Sequence, residues 1–223
     1  MTRARFFTTI LLFIVAARLG PPLWAQAPVL TTHSEGAPSE LGEAIKTQLA
    51  PGGQQVAVGG KTLTFWWVKT LPLRAGGNEA GWSAVEEGTL VGAVRLSSAY
   101  TDMRGRPLKP GVYTLRYGIQ PADGNHLGAS PNPEFLLLSP AASDTSAAAL
   151  GHDGTIKISK LSVGLSHPAV WGLDPPIASG APLSVKKNDA GMTAVIFEVR
   201  VTREGKDAGA LKFGLVLVGE IQS

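Results

Sequence analysis

Gly111-Val112-Tyr113-Thr114-Leu115-Arg116-Tyr117 decides the fold class, because its large residues fall on alternate positions. Tyr113, Leu115, Tyr117 and then Ile119 share one side, while Thr114 and Arg116 share the other. A side-chain period of two belongs to a β-strand with one buried face. Leu63-Thr64-Phe65-Trp66-Trp67-Val68 repeats it, with Leu63, Phe65 and Trp67 on the buried side and Trp66 among the threonines.

Shorter strands are predicted at 56–58, 90–96, 134–138, 156–163 and 183–186. The chain ends in two alternating runs, 193–202 and 208–218, joined by the turn residues Glu204-Gly205-Lys206-Asp207, which reads as a β-hairpin. Helical spacing is confined to Leu41, Ile45 and Leu49, behind Ser39 as a cap and ahead of the stop Pro51-Gly52-Gly53. A second helix is possible at 143–150, with Ser143 or Asp144 capping an alanine run. Short strands punctuated by Pro and Gly predict a mainly β fold, an antiparallel two-sheet β-sandwich with a short N-terminal helix.

Arg3 and Arg5, an apolar run over 6–17, and the small residues Ala25 and Ala27 have the three-part pattern of a secretory leader. The run is shorter than the roughly 20 residues a membrane span needs. Residues 1–25 are therefore expected to be a cleaved signal peptide, 26–38 a flexible tether and 39–223 the β-sandwich domain, secreted or periplasmic with no membrane span after cleavage. Loss of Arg3, Arg5 and Arg18 reduces 20 Lys and Arg to 17, equal to the 17 Asp and Glu. A near-neutral mature chain argues against a nucleic-acid partner. The absence of cysteine excludes disulfides, thiol catalysis and thiolate metal sites.

Leu108-Lys109-Pro110-Gly111-Val112-Tyr113-Thr114-Leu115, a Pro-Gly turn leading into a Tyr-Thr-Leu strand, resembles a segment of exported bacterial Ig-like and related β-sandwich proteins. The likeness runs over 108–138, through Pro121-Ala122-Asp123-Gly124-Asn125-His126 to Phe135-Leu136-Leu137-Leu138. It implies an Ig-like or jelly-roll-like sandwich and export, and it carries no activity.

Candidate chemistry is sparse. His126, His152 and His167, with Asp123 and Asp153, can converge from loops to hold copper or zinc, although none has the close His–His spacing of a specific metal motif. Trp66, Trp82 and Trp171 are candidate stacking platforms for a sugar ring, weighed against their more common place in a core. Arg95, Arg104, Arg106 and Arg116 around Asp102 suggest an anion site, while Arg116 on the outer face of its strand is more simply a solubilising residue or a cross-strand partner of Glu or Asp. No Gly-x-Ser-x-Gly elbow, His-Glu-x-x-His pair or phosphate-binding Gly-rich loop is present. The expectation is a non-catalytic binding or structural module with no cofactor, its partner unknown and a protein or glycan among the possibilities. Metal binding or glycan binding is the alternative, and an enzyme of unfamiliar type comes after both.

Overall fold

The structure, a computed structural model, describes residues 27–76, 81–121, 132–164, 166–174, 181–188 and 190–219. The predicted leader lies outside these residues, as do Asp123 and His126. No helix among the described residues is long and apolar enough to cross a membrane.

In chain order the strands are β1 (Val29–His33), β2 (Gly53–Val58), β3 (Lys61–Trp67), β4 (Leu71–Leu73), β5 (Leu90–Leu96), β6 (Tyr100–Thr101) and β7 (Pro107–Leu108). They continue as β8 (Gly111–Ile119), β9 (Glu134–Pro140), β10 (Ala169–Asp174), β11 (Val185–Lys187), β12 (Thr193–Arg203) and β13 (Lys206–Val218). The helices are α1 (Glu43–Lys46) and α2 (Gly151–Val163).

The chain is mainly β, and most of its strands join one large mixed sheet, β10 linking its two arms through Leu173 and Asp174 against β13. One 11-stranded sheet runs β1-β2-β3-β5-β8-β9-β10-β13-β12-β11, and β6 pairs only with β7. Three residues beyond β3, the chain enters β4 and pairs with β12, Val201 opposite Leu71. That pair is parallel, whereas the remaining ladders are antiparallel. The continuous segment of β3 and β4 thus touches both arms of the path, and the sheet curls around one interior. Aromatic rings fill it: Phe197 lies 5.0 Å from Phe65 and 4.8 Å from Trp67 between ring centroids, and Trp67 meets Phe213 edge-on at 5.2 Å. Edge-on and tilted pairs at these separations suit the ring quadrupoles.

The alternation that predicted β3 and β8 agrees with burial at Leu63, Phe65, Trp67, Tyr113, Leu115 and Tyr117, which all lie in the core, but not at Ile119, which ends β8 and is 42% exposed. The hairpin β12–β13 turns on Glu204 and Gly205, at φ 51° and 74°, with Arg203 opposite Lys206. Two successive left-handed residues match the type I′ turn that follows the strand twist.

Four expectations are corrected. The tether predicted at 26–38 contains β1, which adds an edge to β2 with Val29 opposite Ala57. Its backbone hydrogen bonds hold it, so its low apolar content is no bar. The predicted N-terminal helix is a single turn, yet Leu41, Ile45 and Leu49 are buried as their spacing implies. The strand predicted at 156–163 and the helix predicted at 143–150 are both displaced: helix α2 occupies Gly151–Val163 and closes on Gly164, whose left-handed N–H bonds Lys160 O at 2.9 Å. The buried residues of α2 are Thr155 and Ser159, and Leu161 is 60% exposed, so hydropathy gives no helical stripe. The helix is held by hydrogen bonds instead. Ser159 Oγ donates to Leu138 O at 2.8 Å and accepts the Ala169 N–H at 3.1 Å, and Ser162 Oγ donates to Leu138 O at 2.7 Å.

Arg116 is a further correction. It stands on the outer face of β8, but the chain after β9 folds over that face and buries it completely. All five guanidinium N–H groups are used: Asp144 takes two, and the carbonyls of Gly88, Ala148 and Ser146 take the rest. Asp144 is therefore a buried counter-ion and not a helix cap.

Candidate functional site

Helix α2 connects β9 to its sheet neighbour β10 and lies across their outer faces. Phe135 and Leu137 of β9 alternate with Leu136 and Leu138, which belong to the main core, so β9 is buried on both sides. Phe135, Leu137, Val170 and Met103 form a separate apolar cluster, with Ile156 of α2 packed against it.

The wall opposite α2 is the loop between β6 and β7, and Asp102 shapes it. Asp102 Oδ1 accepts the backbone N–H groups of Arg104 and Arg106, each at 2.9 Å. Its Oδ2 accepts Arg106 Nε–H at 2.9 Å and the Val170 N–H at 3.3 Å, which fastens the loop to β10. A second tie runs from Met103 N–H to Val170 O, 3.1 Å. One buried carboxylate thus sets the loop's conformation and docks it on the sheet.

Between helix and loop lies a cleft of about 300 Å³. Its floor is Phe135, Leu137, Val170 and Ile156 of the apolar cluster, and its mouth carries Arg104, Arg106, Lys160, Glu87, His152 and His167. From α2 come His152, Ile156 and Lys160, at four-residue spacing on one helix face. His152 Nδ1 is 2.8 Å from Glu87 Oε1, and the same oxygen accepts the Ile119 N–H at 3.2 Å. A carboxylate oxygen only accepts, so Nδ1 is the donor in this contact. Arg106 is matched by Asp102 at 2.7 Å. Arg104 and Lys160 have no acidic partner among the described residues, and both are half-buried.

Two of the residues predicted as metal ligands, His152 and His167, do share this cleft. Asp153 is on α2 but is exposed and does not line it, and Asp123 and His126 lie outside the described residues. Among the described residues no three of His, Asp and Glu gather as a ligand set.

The three predicted stacking tryptophans are all buried. Trp66 lies on the opposite face of β3 from Phe65 and Trp67, as alternation requires, but it is only 2% exposed and joins the core cluster, because the end of β1 and the residues after it cover it: Trp66 Nε1–H donates to Glu35 O at 3.0 Å and the ring meets His33 edge-on. Trp82 stacks on Tyr117 at 5.2 Å, and Trp171 packs against Phe65 and Tyr100. Their faces are taken by their own chain, so the stacking expectation finds no open ring.

Comparison of the chain with protein-family models, curated proteins and solved structures returns no significant match. The cleft therefore stands on its own geometry. Of its residues, Arg104 and Arg106 are legible in the sequence as a possible anion site beside Asp102. Lys160, Ile156 and Glu87 are not anticipated. The signal that marks Ile156 and Lys160 is the helical spacing His152-Ile156-Lys160, hidden by the strand-like reading of 156–163.

Proposed function

We propose that this chain is an exported, non-catalytic binding protein, a sandwich-like β scaffold that holds a small amphiphilic molecule between α2 and the β6–β7 loop. The observation that carries the reading is the combination of an apolar floor with a charged mouth in one concave space. Small-molecule sites are characteristically apolar cavities of about 300–1,000 Å³ with a few convergent polar groups, and this cleft, at about 300 Å³, meets the lower bound. Its walls are rigid elements: Asp102 pins the loop, and the serines of α2 pin the helix. A pre-formed site of this kind needs little reordering on binding.

Titration of ¹⁵N-labelled protein with 1-octanol tests the site. Saturable shifts should concentrate on the amides of residues 103–106, 135–137, 152–160 and 166–170. Ile156→Trp fills the cleft from the helix side and should abolish those shifts while leaving the rest of the spectrum in place. Shifts scattered over other faces, or unchanged in Ile156→Trp, would remove the cleft as the binding site. For export, the leader reading predicts that protein recovered from a bacterial periplasm begins at Gln26, and recovery of the uncut chain there would reject it.

A further inference from the structure

We infer that the molecule held in the cleft is a small carboxylic acid: an anionic head at the mouth and an apolar body of on the order of ten non-hydrogen atoms on the floor. The size follows from a volume of about 300 Å³ and a share of roughly 30 Å³ per water-sized group. The inference rests on the binding-site reading above and adds the charge of the ligand.

Charge pairing around the mouth supplies the argument. Arg106 is neutralised by Asp102, and the Glu87 carboxylate is engaged by His152 and the Ile119 N–H and pairs with no Lys or Arg of the described chain. Arg104 and Lys160 remain, facing the same space from opposite walls, the loop and the helix. Both are partly withdrawn from water, and neither has a carboxylate of the described chain beside it. Two half-desolvated cations over an apolar floor favour an incoming anion, since charge-assisted hydrogen bonds to a guanidinium or ammonium are stronger than neutral ones. Inorganic phosphate would satisfy the cations and leave Phe135, Leu137 and Val170 uncovered. A neutral apolar molecule would cover the floor and leave the cations without a counter-charge. An acid with a short hydrocarbon chain or ring does both.

The test compares octanoate, 1-octanol, octylamine and inorganic phosphate against the same labelled protein. Octanoate should bind about tenfold more tightly than octanol or octylamine, the effect of roughly one charge-assisted hydrogen bond. Its affinity should fall as salt is raised, because the mouth is open to screening. In the double variant Arg104→Gln/Lys160→Gln, octanoate should weaken to the level of octanol, whose own affinity stays unchanged. Equal affinities for octanoate and octanol, or octanoate binding untouched in that variant, would overturn the anion assignment while the cleft reading stands. Phosphate binding as tightly as octanoate would overturn the apolar body. If neither octanol nor octanoate moves the cleft amides, the cleft reading itself fails.

Discussion

Arg116 and Asp144 form an ion pair sealed from solvent, both side chains 0% exposed, with Nε 2.6 Å from Oδ2 and Nη2 2.8 Å from Oδ1. Thr114 Oγ1–H donates to the same Oδ2 at 2.5 Å. The pair joins the middle of β8 to the segment leading into α2, so it indirectly sets where the cleft's helix begins. Breaking a buried pair by removing one partner strands the other charge. Asp144→Ala is expected to cost about 3–5 kcal/mol in urea unfolding, and Arg116→Met/Asp144→Leu should lose less than Asp144→Ala alone. A loss below about 1 kcal/mol for Asp144→Ala would place it with ordinary surface changes and remove the pair as an anchor.

Ser159 offers a second handle on α2. Ser159→Ala takes away the acceptor of the Ala169 N–H and one donor to Leu138 O. The expected destabilisation is about 1–3 kcal/mol, the cost of a buried group left without its partner. Hydrogen exchange at the Ala169 amide should accelerate more than exchange in β12, and uniform acceleration would contradict a local role.

Alkaline titration should reveal the buried tyrosines. Burial, aided by the carboxylates of Glu134 and Glu87, pushes the Tyr117 hydroxyl up to about 12, and burial raises Tyr100 as well. An unfolded tyrosine loses its proton near pH 10. Between that pH and the folded value the unfolded chain holds fewer protons, so this stability is complete below about pH 10 and is lost as pH rises through about 12. Tyr117→Phe should flatten the fall by about 1.4 kcal/mol per pH unit across the window, read as unfolding midpoints against pH. An unchanged slope would show that Tyr117 ionises normally in the folded chain.

The β12–β13 turn gives a backbone prediction. With φ at 74°, Gly205→Val forces a branched side chain into the left-handed region and is expected to cost about 1–2 kcal/mol. Glu204→Asn, at φ 51°, should raise the melting temperature, because asparagine accepts that conformation more readily. A melting temperature lowered by Glu204→Asn would mean that the glutamate side chain itself contributes to the turn.

How far the sequence could be read depends on what each signal reports. Alternation in β3 and β8 names the core side correctly, and Glu204-Gly205 marks the final hairpin, since both are local consequences of backbone geometry. The same logic misplaces Arg116 and Trp66. Their outward direction was legible, but the segments that cover them, 141–150 and 33–35, come from elsewhere in the chain. Helix α2 was misread because its buried residues are the polar Thr155 and Ser159, and Ser159 and Ser162 bond to the strand carbonyl of Leu138, which leaves hydropathy without a period. The site follows suit: Asp102, Arg104 and Arg106 are neighbours in sequence, whereas Lys160 and His152 join them only because β10 pairs with β9 and brings α2 alongside.

The sequence by itself determined which side chains share a strand face, where the last hairpin turns, and that no thiol chemistry occurs. Tertiary structure alone decided that the strands join one curled sheet, that the outer faces of β8 and β9 are buried, and that Arg104 and Lys160, without an acidic partner among the described residues, line one cleft with Phe135 and Leu137. The physical reason is that periodicity records the direction of a side chain along its own strand or helix. What covers that side chain is fixed by contacts between residues far apart in the chain.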